Sequence, residues 1–275
     1  MSLPTVLITG CSAGGIGSAL AEAFHERNHH VIATARSVDK MSHLSKYPNM
    51  TLLKLDVTSS DDIAAAVETV KSLTGGKLDY LVNNSGLPLT FPALETDIEK
   101  AKKLFEVNFW GVVRMVNSFS EMVIAAKGVI ANHCSMGGVM TVPWNAFYTS
   151  SKAALKSYSE GLRHELAPFG VRVVTIMTGV VGSNLWTRAP ELNLEGSRYA
   201  AASKEMMDIA TAANTGGTMP CSEYARRVVD DLVGGKTGLI WRGKMASIGW
   251  FLTSFMPTWF LDWMADSRSG LDKLG

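Results

Sequence analysis

The sequence predicts an α/β fold built on a doubly wound parallel sheet, and three observations carry that prediction. Short apolar runs rich in β-branched residues recur along the chain, each followed by a stretch of helix formers. The first run, Val6-Leu7-Ile8-Thr9, opens into Gly10-Cys11-Ser12-Ala13-Gly14-Gly15-Ile16-Gly17 and then into the helix-forming Ser18-Ala19-Leu20-Ala21-Glu22-Ala23-Phe24. The next run, Val31-Ile32-Ala33-Thr34-Ala35-Arg36, follows at the spacing of a strand–helix–strand unit, which implies a parallel pair with a right-handed crossover. With 275 residues and no repeat, low-complexity run or linker, one large domain is expected.

Composition narrows the function classes. The 26 basic and 25 acidic side chains leave a net charge of +1, which gives no electrostatic footprint for nucleic acid. Cys11, Cys134 and Cys221 have neither paired nor metal-like spacing, so free thiols in a reducing compartment and no metal site are expected. Met1-Ser2-Leu3-Pro4 runs straight into the first strand without a basic region and apolar core, so no signal peptide is expected.

The glycine-rich turn between strand and helix is a context in which backbone N–H groups and a helix N-terminus cradle phosphate. At the end of the second strand, an acid would accept from a ribose 2′-hydroxyl and an arginine would neutralise a 2′-phosphate. Ala33, Thr34 and Ala35 carry no acid and Arg36 follows, so the pattern favours NADP over NAD. Thr51 to Val57 is a third strand candidate, and Asp61-Asp62 open a helix with acids in its first turn. Leu78-Asp79-Tyr80-Leu81-Val82 is a fourth, ending in Asn83-Asn84-Ser85-Gly86, where parallel sheets bind ligands. Ile98 to Phe119 has a helical pattern that includes Asn108, a residue whose side chain competes for backbone groups in mid-helix. Val129 to Ser135 and Val171 to Ile176 are further strands, with a mobile-looking Met136-Gly137-Gly138 between them. Residues 185–220 lose clean periodicity and are expected to form a substrate lid. Ser222 to Leu232 is expected to be a helix capped by Ser222, and Gly238 to Arg242 a last strand.

Phe147-Tyr148-Thr149-Ser150-Ser151-Lys152 places a phenol and an ammonium on one helix face, a turn apart. A nearby positive charge favours phenolate, which makes such a tyrosine a general acid/base for an alcohol or carbonyl. The helix continues through Leu155, Tyr158, Leu162 and Leu166 as an apolar stripe. His133 beside Ser135 raises the thought of a hydrolase, but no Gly-x-Ser-x-Gly elbow is present and a structural histidine is the better reading.

These features coincide in a way that resembles the short-chain dehydrogenase/reductase family, whose fold is the single-domain Rossmann sheet. Thr9-Gly10…Gly14…Ile16-Gly17 is similar to its cofactor loop, Asp56 to its adenine-side aspartate and Asn83-Asn84-Ser85-Gly86 to its Asn-Asn-Ala-Gly motif. Asn108, Ser135, Tyr148 and Lys152 match its catalytic tetrad in order, and the Ser–Tyr separation (148 − 135 = 13) is the family's usual one. Thr178-Gly179-x-Val181-x-Ser183 matches its Pro-Gly-x-Val-x-Thr segment, which contacts the nicotinamide. The resemblance implies NADPH/NADP held by Gly10, Ser12, Gly15, Ile16, Gly17, Arg36, Asp56, Asn84, Gly86, Tyr148, Lys152, Val181 and Ser183. It also implies Tyr148 as proton donor, Lys152 lowering its pKa, Ser135 on the substrate oxygen, Asn108 organising a water chain, and a homodimer or homotetramer. Three positions depart from the family pattern. An extra residue lies between Gly10 and Gly17, so Gly14 and Gly15 compete for the pyrophosphate; Ser85 stands for alanine; Thr178 stands for proline.

Gly76-Lys77-Leu78-Asp79-Tyr80, Thr90-Phe91-Pro92-Ala93-Leu94, the tetrad helix and the hydrophobic tail resemble the fungal 1-acyldihydroxyacetone-phosphate reductases, a branch that also includes relatives with secondary-metabolite substrates. That implies a ketone reduced to a secondary alcohol on an apolar substrate, lipid-like or polycyclic, with a tailoring reductase for a polyketide or terpenoid as the alternative. A fold reused for binding or non-redox chemistry is the further alternative, against which the intact tetrad argues. For a phosphorylated substrate the variable segment offers Arg188, Arg198 and Lys204. Residues 1–244 make the reductase domain and 245–275 an apolar tail, in which Trp250, Trp259 and Trp263 suit a membrane interface, a substrate wall or plain packing. The run is too short and, at Pro257, too interrupted to span a bilayer. The expected location is the cytoplasm, extending to the surface of the endoplasmic reticulum or lipid droplets.

Overall fold

In the computed structural model, which describes residues 3–184 and 192–274, seven strands form one parallel sheet. They are β1 (Thr5–Ile8), β2 (His30–Ala35), β3 (Met50–Lys54), β4 (Tyr80–Asn83), β5 (Val129–His133), β6 (Arg172–Thr178) and, later in the chain, β9 (Gly238–Arg242), in the order β3-β2-β1-β4-β5-β6-β9. A short pair, β7 (Val181–Gly182) with β8 (Met219–Pro220), stands apart from the sheet. The helices are α1 (Ile16–His25), α2 (Ser60–Thr74), α3 (Ile98–Phe105), α4 (Gly111–Ala126), α5 (Ala146–Leu166), α6 (Ser203–Ala210), α7 (Cys221–Val233), α8 (Ala246–Phe255) and α9 (Thr258–Asp266).

Two-residue alternation makes the sheet double-faced. Val6, Ile8, Val31 and Ala33 bury one way, against Leu20 and Phe24 of α1 and Tyr224, Val228 and Leu232 of α7. Leu7, Ile32, Leu81 and Ile130 bury the other way, against Ile63 of α2, Val112 and Phe119 of α4 and Leu155 of α5. Each such Leu, Ile or Phe contributes about 1.5–3 kcal/mol on burial, so the two layers outweigh weak helix propensities such as that of the valine-rich start of α4. Strand order reverses between β1 and β4, and the crevice at their carboxyl ends is where an open α/β sheet takes its ligand.

Caps and turns set most boundaries. Ser59 Oγ accepts from Asp62 N at the start of α2, and Gly75, at φ +63°, ends it left-handed. The helical run from Ile98 extends to Ala126, beyond Phe119, and widens into one π turn at Glu106–Trp110. The expectation at Ser222 is corrected: α7 begins at Cys221 after Pro220, without a side-chain cap. Pro220 is held at φ −56°, and the β7–β8 pair delivers the chain directly into the helix, leaving Ser222 inside the first turn. Met136–Gly138 is a short 3₁₀ turn, with Ser135 Oγ accepting from Gly137 N at 3.1 Å.

A third, smaller cluster gathers Trp144, Leu194, Ala202 and Met206, with Leu274 packed against it. Trp144 Nε1 donates to Ser269 O at 2.9 Å. The C-terminal residues therefore return to the body after α8 and α9, so residues 245–274 pack back onto the domain.

Candidate active site

The carboxyl ends of β1, β2, β4, β5 and β6 open into one cleft of about 1050 Å³. That is at the upper end of the roughly 300–1,000 Å³ of single-ligand pockets, so it has room for a dinucleotide and a second molecule. Gly10, Ser12, Gly15, Ile16, Arg36, Asp56, Asn84, Gly86, Ser135, Tyr148, Lys152, Val181 and Ser183 all line it. Gly17 and Asn108 do not; both act from behind the wall.

The glycine turn shows why these positions take no side chain. At Gly10, φ +77°, a Cβ would stand 3.0 Å from Ser85 Oγ. At Gly17 it would stand 2.5 Å from the carbonyl oxygen of Gly10, so only glycine lets α1 lie this close to the turn. The extra residue is also resolved. Gly14, φ +70°, faces Asn184, whose Nδ2 donates to Ala13 O at 2.7 Å, while Gly15 lines the cleft. Helix α1 opens at Gly15 without a side-chain cap, a ready site for an anion. At the end of β2, Arg36 is joined in the cleft wall by Lys40 from the following turn. Asp56 accepts from Thr58 N at 2.9 Å and Thr58 Oγ1 at 2.8 Å. The uncapped helix and the glycine cradle fit the phosphates of a nicotinamide dinucleotide.

The tetrad residues converge from three elements: the π turn, the end of β5 and α5. Tyr148 and Lys152 occupy the first turns of α5, and the hydroxyls of Tyr148 and Ser135 share a hydrogen bond. Lys152 is buried; its Nζ donates to His133 O at 2.9 Å and lies beside Gly86, and burial lowers its pKa. Asn108 is fully buried in the π turn: its Oδ1 accepts from Leu87 N at 2.8 Å and its Nδ2 donates to Leu87 O at 3.0 Å and Ser151 Oγ at 3.1 Å. It thus braces the segment after β4 against α5, and the π turn is what aims it there.

Burial works against the expected lowering of the phenol. Burial pushes the Tyr148 phenol up to about 12, with the Ser135 hydrogen bond opposing. The Lys152 ammonium is directed at the His133 carbonyl, so it does not bring the phenol down. His133 is structural, as expected, but part of a chain the sequence did not disclose. Its Nδ1 lies 2.8 Å from Asn84 Oδ1 and its Nε2 3.2 Å from the Tyr224 hydroxyl, which is 2.6 Å from Thr178 Oγ1. Lys40, Asn184, Tyr224 and the Thr178 hydroxyl were missed. Lys40, four residues past Arg36, had a local signal; the others have none short of the fold.

Leu87, Met136, Met140, Val142, Ile209 and Ala210 supply apolar lining to the cleft that holds Tyr148. Met136 and Met140 are backed by α8, where a Cβ on Gly249 would stand 2.8 Å from Met136 Sδ. Arg198 and Lys204 are exposed and outside the lining, and Arg188 lies outside the described residues, as does the start of the expected lid. No group of residues able to hold a metal ion is found among the described residues.

The chain is similar in sequence and fold to known proteins. A family model for short chain dehydrogenase matches residues 4–193. The chain is 45% identical to "Short-chain dehydrogenase ptmH" of Penicillium ochrochloron over 98% of this chain and 100% of that protein. It is 48% identical to the NADPH-dependent 1-acyldihydroxyacetone phosphate reductase of Schizosaccharomyces pombe, over 66% of this chain and 62% of that one. Among solved structures, a short-chain dehydrogenase from Streptomyces avermitilis superposes with a TM-score of 0.79 at 27% identity, covering 98% of both chains. One from Burkholderia cenocepacia, in complex with NADP, does so at 0.71 and 25% identity, covering 99% of this chain and 98% of that one.

Proposed function

The chain belongs to the short-chain dehydrogenase family, an oxidoreductase family, and on that premise we propose that it is an NADPH-dependent reductase of an apolar, lipid-like or polycyclic ketone. The observation that carries the reading is one continuous cleft joining the glycine cradle and Arg36 to Ser135, Tyr148 and Lys152. When bound, NADPH supplies the hydride. Tyr148 gives its proton to the carbonyl oxygen as that oxygen gains charge, and the Ser135 hydroxyl, held 3.1 Å from Gly137 N by its cap, donates to the same oxygen. Lys152 spends one of its three N–H donors on His133 O and has two for the cofactor ribose. Asn108 keeps the segment after β4 in register with α5.

Arg36 and Lys40 support NADPH over NADH, since a 2′-phosphate gains charge-assisted hydrogen bonds from them. Leu87, Met136, Met140, Val142, Ile209 and Ala210 in the lining support an apolar ketone, while Lys102 and Lys103, which line the same cleft, leave a phosphorylated one as the second reading. The phosphorylated reading rests on the name of the Schizosaccharomyces pombe relative. A 340 nm assay with NADPH and NADH decides between them, run against polycyclic and aromatic ketones and acyl-dihydroxyacetone phosphates. Oxidation of NADPH with the neutral ketones is the expected result. Turnover only with the phosphorylated lipid would replace the substrate class, and none with any ketone, despite NADPH binding, would favour a non-redox use of the fold.

We also propose that α8 and α9 touch a lipid surface. Ile248, Phe251 and Phe255 share one exposed face, Trp259 and Trp263 another, and Pro257 turns the chain between them. No helix among the described residues is long and apolar enough to cross a membrane.

A further inference from the structure

The hydrogen bonds around His133 have only one consistent direction. Asn84 Nδ2 donates to Thr9 O at 2.8 Å, which makes its Oδ1 the acceptor. The imidazole therefore carries its proton on Nδ1, 2.8 Å from that oxygen, and presents a lone pair at Nε2. The Tyr224 hydroxyl must donate to Nε2, and its oxygen then accepts from Thr178 Oγ1 at 2.6 Å. His133, Tyr224 and Thr178 are all buried, so each link replaces water that is not there. Burial together with the Lys152 charge drives the imidazole down to about 3, which keeps it neutral.

Both ends of this chain line the cleft, Asn84 just after β4 and Thr178 at the end of β6, with β5 between them. Asn84 holds the glycine turn, with a second bond to Gly10 O at 3.2 Å. Thr178 begins the segment running through Val181 and Ser183. Tyr224 itself lies outside the cleft, on the helix that follows the β7–β8 pair. Thr178 stands where the family pattern has proline, so a hydroxyl anchored by Tyr224 takes over the restraint a ring would give.

We propose that Thr178, Tyr224 and His133 are positioning residues that, through Asn84, fix the segment after β6 relative to the glycine turn and thereby set affinity for the dinucleotide. They take no part in the chemistry. The inference rests on the proposed reading of the cleft as a nicotinamide-dinucleotide site.

The test is a fluorescence titration of NADPH into the full chain and its Tyr224→Phe, Thr178→Val and doubly substituted forms. Alongside it go kcat at saturating NADPH, thermal melts as a folding control and ¹⁵N NMR of the His133 ring. Each single variant is expected to bind NADPH about five- to tenfold more weakly, and Tyr224→Phe, whose side chain lies outside the cleft, to change kcat less than about twofold, since a buried polar partner is lost but no reacting group. The double variant is expected to be no weaker than the worse single one, because one cut already breaks the chain. The wild-type ring is expected to be neutral with its proton on Nδ1. Unchanged NADPH affinity in both single variants, effects that multiply in the double, or a ring protonated on Nε2 at neutral pH would overturn the inference. Should Tyr224→Phe fail to fold, Thr178→Val alone carries the affinity test. A wild-type chain that binds no NADPH would overturn the proposed function itself, which is a separate and recognisable failure.

Discussion

Burial acts on both Tyr148 and His133, raising the phenol and lowering the imidazole, and each has a measurable consequence. Tyr148→Phe removes the proton donor and leaves the ring in place. Turnover should fall by about 10²–10⁴-fold, the usual share of general acid/base help, while NADPH affinity stays within about threefold in a fluorescence titration. A Phe variant near the wild-type rate would remove Tyr148 from the mechanism. His133 speaks to stability. Its pKa is about 3 in the folded protein against 6.5 for an ordinary histidine. Between those values the unfolded chain binds a proton that the folded one does not, so stability falls as pH drops through that window. From pH 7 to 4.5 the loss assigned to this one group is about 3 kcal/mol, at 1.36 kcal/mol per unit below 6.5. Urea unfolding of wild type and His133→Gln at both pH values isolates it: the variant should show the smaller drop.

Among the elements, two glycines of similar helical setting should behave oppositely. Gly17 in α1 has the Gly10 carbonyl oxygen 2.5 Å from where its Cβ would be, and Asn84 Nδ2 at the same distance. Gly17→Ala should therefore cost about 1–3 kcal/mol as an overpacked contact, and weaken NADPH binding because the turn it displaces is the phosphate cradle. Gly161, inside α5, has nothing within 4 Å of that position. Gly161→Ala should raise stability by about 0.5–1 kcal/mol through helix propensity alone. Chemical denaturation of the two variants reads both signs. The π turn at Glu106–Trp110 belongs to this scale as well. An ordinary helix would turn Asn108 away from Leu87; the widened turn gives it both the main-chain N–H and carbonyl of that residue.

Across the whole molecule, the C-terminal residues tie the segment over the cleft to the body. Ser269 accepts from Trp144, Lys273 pairs with Glu205 at 2.6 Å on α6, and Leu274 completes the third cluster. Truncation before Ser267 should make the 192–220 region protease-sensitive and raise KM for apolar ketones while leaving NADPH affinity near wild type. Limited proteolysis and steady-state kinetics would show it, and an unchanged digestion pattern would count against the tie. Because such a truncation disturbs the cleft, lipid contact is better tested by surface changes. Phe255→Ser, Trp259→Ser and Trp263→Ser together should abolish pelleting with phosphatidylcholine vesicles and leave the melting temperature alone, since all three are more than half exposed.

The sequence by itself determined what depends on near neighbours. Two-residue alternation in Val6-Leu7-Ile8 forces a sheet covered on both faces, the glycine spacing from Gly10 to Gly17 forces a tight turn into a helix, and four residues between Tyr148 and Lys152 put both on one helix face. These are properties of chain geometry, and the structure keeps them. The tertiary structure decided everything that depends on distant partners or on the exclusion of water. It chose Gly15 over Gly14 by placing Asn184 against the latter, and it turned the Lys152 ammonium to the carbonyl of His133. It raised the Tyr148 phenol by burying it, and it joined His133 to Tyr224, which is remote in sequence. The charge state of a phenol or an imidazole follows from the dielectric and the donors around it, and those are set by which elements pack together.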